Sequence, residues 1–75
     1  MININFTGYT HTVTNINGLQ TFRKEKKLTV RDISLQLEIS ESYYYKIESG
    51  IRKPTYEFIR KFKEVFKVNV DEIFF

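Results

Sequence analysis

Between Thr29 and Pro54 the chain runs TVRDISLQLEISESYYYKIESGIRKP, two stretches of helical periodicity with only a tight turn between them. Thr29 and Asp32 have the spacing of a capping box, with Asp a shorter partner than the usual Glu, and they open the first stretch. Its inward face is Val30, Ile33, Ser34 and Leu37. Ser40 caps the second stretch, which runs to about Ser49 and stops at Gly50, a natural residue after a helix end. A basic loop follows and is closed by the only proline, Pro54. Two short amphipathic helices at this spacing form a helix–turn–helix.

The flanking segments are also helical in pattern. Asn17 caps helix 1, which carries Leu19, Phe22 and Lys26 on one side and ends near Lys27. Pro54 and Thr55 open helix 4, where Phe58, Ile59, Phe62, Val65 and Phe66 recur at helical spacing. Asn69 caps a last short helix, Val70 to Phe74. With the central pair as helices 2 and 3, residues 18–75 are expected to form an all-α domain of five helices. Residues 1–17 differ: they hold no Lys, Arg, Asp or Glu, and apolar residues and threonines alternate on either side of Thr7-Gly8-Tyr9. That arm is either flexible or made of short strands that pair with something, because an isolated hairpin is marginal in water.

Length and composition set the outer bounds. A chain of 75 residues is one small domain, and such a domain buries only about 60% of its unfolded surface. Seven Phe and five Tyr can supply the large side chains its core needs. Without cysteine there is no disulfide, thiolate nucleophile or thiolate metal site, which suits a reducing cytoplasm. No apolar run reaches roughly 18 residues and no signal peptide opens the chain, so a soluble, cytoplasmic protein is expected. The net charge of +3, all of its carriers beyond residue 17, fits a polyanionic partner.

Helix 3 divides by its own periodicity. At about 100° per residue, Tyr43, Tyr44 and Ile47 face the core, with Tyr43 at the boundary. Ser42, Tyr45, Lys46 and Ser49 face outward, flanked by Glu41. An outward Tyr beside a Lys, with a Ser one turn back, can contact sugar, phosphate and base edges together. Glu41 either accepts from cytosine N4 in a groove or only stabilises the helix end. The free N–H groups at the start of helix 3, around Ser40, suit a phosphate. Arg52 and Lys53 in the following loop, Arg31 at the start of helix 2 and Ser49 complete the candidate phosphate contacts. Lys61, Lys63 and Lys67 are read as solvated surface.

These residues resemble the lambda-repressor/Cro-like helix-turn-helix family, the XRE family. The likeness covers about residues 19–74 and rests on the order and spacing of several pieces. They are Arg23, Leu28-Thr29, Ile33-Ser34, Ile39-Ser40, Ile47-Glu48-Ser49-Gly50, Arg52-Lys53-Pro54 and the closing Phe66 to Phe74 segment. The resemblance implies a structural ion pair between Arg23 and Glu48, and base contacts at Glu41, Ser42 and Lys46 with Tyr43 and Tyr45 beside them. The chain departs from the family at Glu38, where Gly is usual in the turn, and at Val30, where many relatives carry a phosphate-binding Gln. It also has Ser34 for Ala and Lys67 for Gly. Glu38 must therefore turn left-handed, or the turn must differ.

The leading expectation is a sequence-specific transcriptional regulator, a repressor of the phage, mobile-element or small-operon type. It would act as a homodimer on a near-palindromic operator, with recognition helices one turn apart, about 34 Å. Val70, Ile73, Phe74 and Phe75 are the candidate dimer contacts. The alternative is a protein-interaction module, such as an antitoxin or anti-repressor, whose N-terminal arm adds a strand to a partner. An enzyme is not expected: the only histidine, His11, lies in the arm, and no nucleophile–base pair, carboxylate pair or phosphate loop is evident. No metal or cofactor is implied.

Overall fold

The computed structural model describes residues 18–75, which form five helices. These are α1 (Gly18–Glu25), α2 (Val30–Leu37), α3 (Glu41–Glu48), α4 (Tyr56–Phe66) and α5 (Val70–Phe74). No strand occurs among the described residues. The expected arm over residues 1–17, the Asn17 cap and His11 lie outside the described residues.

Four of the helices start on a side chain that satisfies an otherwise unpaired backbone N–H. Thr29 Oγ1 accepts from the Asp32 amide and Asp32 Oδ2 accepts from the Thr29 amide, both at 3.0 Å, completing the capping box. Ser40 Oγ accepts from the Tyr43 amide at 3.0 Å, Thr55 Oγ1 from the Phe58 amide at 3.1 Å and Asn69 Oδ1 from the Asp71 amide at 3.0 Å. Each such cap is worth about 1 kcal/mol.

The helix ends are less economical. Lys27, Glu38 and Lys67 all take left-handed conformations, with φ of 59°, 62° and 55°. After Lys27 the Leu28 amide reaches back to the Arg23 carbonyl, and after Glu38 the Ile39 amide reaches the Ser34 carbonyl, each at 3.0 Å. These bonds satisfy carbonyls that a helix end otherwise leaves open. Helix α1 thus stops at Glu25, two residues short of the expected Lys27, because Lys27 is the reversing residue.

Every helix contributes two buried apolar residues to one core. They are Leu19 and Phe22, Ile33 and Leu37, Tyr44 and Ile47, Phe58 and Phe62, and Ile73 and Phe74. The Phe62 ring lies at the middle, with ring centroids 5.0 Å from Phe22, 4.8 Å from Phe66 and 5.3 Å from Phe74. Edge and tilted packings of this kind add to the area the rings bury. Ser34 is the buried small residue between α2 and its neighbours, and its hydroxyl donates to the Arg31 carbonyl at 3.0 Å. Val30 is only half-buried, at the margin of this core.

The last helix corrects part of the sequence reading. Ile73 and Phe74, named above as dimer contacts, are 8% and 2% exposed. Side chains spent on the chain's own core have no surface left for a second copy. Val70 is half-buried and Phe75 remains 45% exposed.

Candidate nucleic-acid interface

Helix α3 is held from behind by polar as well as apolar contacts. Arg23 of α1 donates from Nε to Glu48 Oε2 at 2.6 Å and from its second terminal nitrogen to Oε1 at 3.3 Å. Its first terminal nitrogen donates to the Leu28 carbonyl at 3.0 Å. The Tyr44 hydroxyl, fully buried one turn before Glu48, donates to the same Oε2 at 2.9 Å. A buried carboxylate is tolerable only when paired and hydrogen-bonded, and Glu48 is both. The Glu48 hydrogen bond raises the Arg23 pKa against the opposing effect of burial. Burial, and then the Glu48 charge, pushes the Tyr44 phenol well above its ordinary range.

The opposite side of α3 faces solvent. Glu41, Ser42, Tyr45, Lys46 and Ser49 are all exposed, Tyr45 to 56%. The three consecutive tyrosines separate as their angular positions require: Tyr44 buried, Tyr43 half-buried and Tyr45 outward. The Tyr43 ring stands edge-on to Phe58 of α4, with centroids 6.4 Å apart. The Arg52 guanidinium lies over that ring, 5.2 Å from its centroid.

The loop after α3 folds back on the helix it leaves. Gly50 turns left-handed, with φ of 84°, a conformation that glycine takes without the steric cost a Cβ brings. The Arg52 amide then donates to the Lys46 carbonyl at 2.9 Å, and Ser49 Oγ donates to the same carbonyl at 3.3 Å. Arg52 and Lys53 are exposed, as is Arg31 in the first turn of α2. Ser40 is exposed too; its oxygen accepts the capping bond, which leaves its hydroxyl proton to donate elsewhere.

The sequence reading missed two large exposed residues after α3. Ile51 and Tyr56 are 71% and 79% exposed, in the basic loop and at the start of α4. The signal for Ile51 was present: it lies between Gly50 and Arg52, outside any helical period. Tyr56 gave none, because it opens a helix whose other aromatic residues are core-facing.

No helix among the described residues is long and apolar enough to cross a membrane. No curated protein and no solved structure gives a significant match to the chain. A family model described as helix-turn-helix matches residues 19–73, a span that takes in α2, the turn, α3 and the Arg23–Glu48 contact behind them. With most of its length under that model and its five helices in this order, the chain belongs to the lambda-repressor/Cro-like (XRE) helix-turn-helix family of DNA-binding regulators.

Proposed function

We propose that this protein is a sequence-specific transcriptional regulator, of repressor type, that reads the major groove of duplex DNA with α3. The observation that carries this reading is the two-sidedness of α3. Its inner side is fixed by Tyr44, Ile47 and Glu48, while its outer side presents Glu41, Ser42, Tyr45 and Lys46 to solvent. A helix anchored on its inner side with a polar outer stripe suits base-edge recognition in the major groove.

The proposed roles divide by chemistry. Lys46 and Ser42 donate to base acceptors, Tyr45 contacts bases and sugar, and Glu41 accepts from cytosine N4. Arg31, Ser40, Ser49, Arg52 and Lys53 donate to phosphates on either side of the groove. A homodimer on a near-palindromic operator in the cytoplasm completes the reading, with Val70 and Phe75 the candidates left at the α5 end for a two-fold contact.

A selection of bound molecules from random duplexes tests the reading. Enrichment of two half-sites about one helical turn apart, with affinity falling steeply as salt rises, is the expected result. Salt-insensitive binding with no enriched sequence would overturn it and favour the protein-interaction alternative.

A further inference from the structure

We propose that Tyr43 is a positioning residue whose ring holds the Arg52 guanidinium ready for a DNA phosphate, and that it reads no base itself. The inference rests on the DNA-binding reading above and names a residue on which the strength of that binding depends.

The support runs outward from the core. Phe58 is buried against Phe62 and Phe74, with ring centroids at 6.3 and 6.1 Å. The half-buried Tyr43 ring packs edge-on to Phe58 at an interplanar angle of 77°. That leaves one face of the Tyr43 ring turned toward the loop, and the Arg52 guanidinium lies over it at 5.2 Å. The backbone of Arg52 is tied separately, through its amide to the Lys46 carbonyl at 2.9 Å. Arg52 is thus fixed at two points on α3, its main chain on the second turn and its side chain on the first.

This arrangement suits phosphate binding for a geometric reason. A guanidinium held over a ring face has five N–H donors, and those turned away from the ring stay open to a phosphate. An arginine fixed this way loses little freedom when a phosphate arrives, whereas one on an unsupported loop must be ordered on binding. The ring also draws Tyr43 away from the outer stripe of α3, since it packs between Phe58 and Arg52. A phosphate contact carries no sequence information, so Tyr43 acts on affinity for all duplexes alike.

The test compares the wild type with Tyr43→Phe, Tyr43→Leu, Arg52→Lys, Arg52→Ala and the Tyr43→Leu/Arg52→Ala double variant. Each is titrated with a selected duplex and a scrambled one across a salt series, with thermal melting to show that it folds. Tyr43→Phe keeps the ring and should bind like the wild type. Tyr43→Leu should bind both duplexes about two- to fivefold more weakly, the size expected of an exposed cation–π contact. In the Arg52→Ala background it should cost nothing further, because the two residues act as one unit. Arg52→Lys, which keeps the charge but replaces the planar five-donor fork with a compact ammonium, should also weaken both duplexes alike. This variant tests the proposal even if Tyr43→Leu fails to fold. Additive losses, full binding by Arg52→Lys, or a Tyr43→Phe defect confined to the selected duplex would each overturn it. A wild type that binds no duplex would instead remove the DNA reading itself, and this inference with it.

Discussion

Tyr44 donates its hydroxyl to Glu48 Oε2 at 2.9 Å, one turn along the same helix and on the oxygen that also receives Arg23 Nε. Helix α3 is therefore joined to α1 through a carboxylate with two donors, one from its own helix and one from across the domain. The two donors are not equivalent. Tyr44 is neutral and its loss leaves Glu48 paired, while Arg23 carries the compensating charge.

Stability measurements should show that difference. Tyr44→Phe keeps the ring in the core and should cost about 1.5–3 kcal/mol, the range for a hydrogen bond to a charged group. Arg23→Leu leaves the Glu48 carboxylate buried without its counter-charge and should cost about 3 kcal/mol or more. Urea unfolding followed by helix content gives both values. A larger loss for Tyr44→Phe would reverse the assigned roles.

The same phenol makes stability sensitive to alkali. Burial, and then the Glu48 charge, raises the folded-state pKa of Tyr44 above that of the unfolded chain. The folded state therefore holds this proton more tightly. The resulting stability is complete below about pH 10, the ordinary phenol value, and is lost as pH rises beyond it. Melting temperatures measured from neutral pH upward should fall above that point in the wild type and fall less in Tyr44→Phe. Parallel curves would show that Tyr44 does not carry the effect.

Asp32 gives the opposite dependence at the other end of the scale. Hydrogen bonds from Thr29, the backbone amide first, hold its carboxyl below the ordinary carboxylate range. Its contribution is present above the unfolded-state pKa and fades as pH falls through the folded one. Replacing it with Asn keeps an acceptor for the Thr29 amide but removes the titrating charge. The acid limb of the stability profile should be shallower in Asp32→Asn than in the wild type, by circular dichroism from about pH 5 down to pH 2. An unchanged limb would mean that the capping charge contributes nothing.

Glu38 holds a left-handed conformation at φ 62° and ψ 41° that costs a residue with a Cβ about 1 kcal/mol relative to glycine. Its carboxylate meets Lys61 at 3.3 Å, but both side chains are exposed, and such a pair contributes a few tenths of a kcal/mol. The backbone effect wins. Glu38→Gly should raise stability by about 0.5–1 kcal/mol with the fold unchanged. A loss on denaturant unfolding would show that the Lys61 contact outweighs the turn.

Much of this architecture was legible before the structure. The capping residues Thr29, Ser40, Thr55 and Asn69 mark helix starts through local chemistry, and the five-helix, all-α fold followed from them. Glu38 and Lys67 were visible as departures from a family glycine, whereas Lys27 reverses the chain with no sequence mark at all. Side-chain partners were harder to see. Arg23 and Glu48 stand 25 residues apart and could be paired only through the family resemblance. The share of Tyr44 in that pair, and the placing of Arg52 over the Tyr43 ring, depend on where loops and helices meet in space. Phe74 was read as a candidate dimer contact; the rings of Phe58 and Phe62 around it put it in the core.

Tyr45 and Lys46 are exposed, and neither is among the residues packed against the core, so Tyr45→Ala and Lys46→Ala should melt within a few degrees of the wild type. On a selected duplex each should lose about 1–3 kcal/mol of discrimination, with preference relaxed at the base pair it contacts. Arg52→Ala should behave differently, weakening all duplexes alike and lowering the salt slope by about one unit. Measuring the three variants side by side on selected and scrambled DNA separates base reading from phosphate grip. If Lys46→Ala and Tyr45→Ala kept full preference for the selected duplex, the reading face would have to lie elsewhere on the domain. A collapse of helix content in either would mean that the side chain supports the fold.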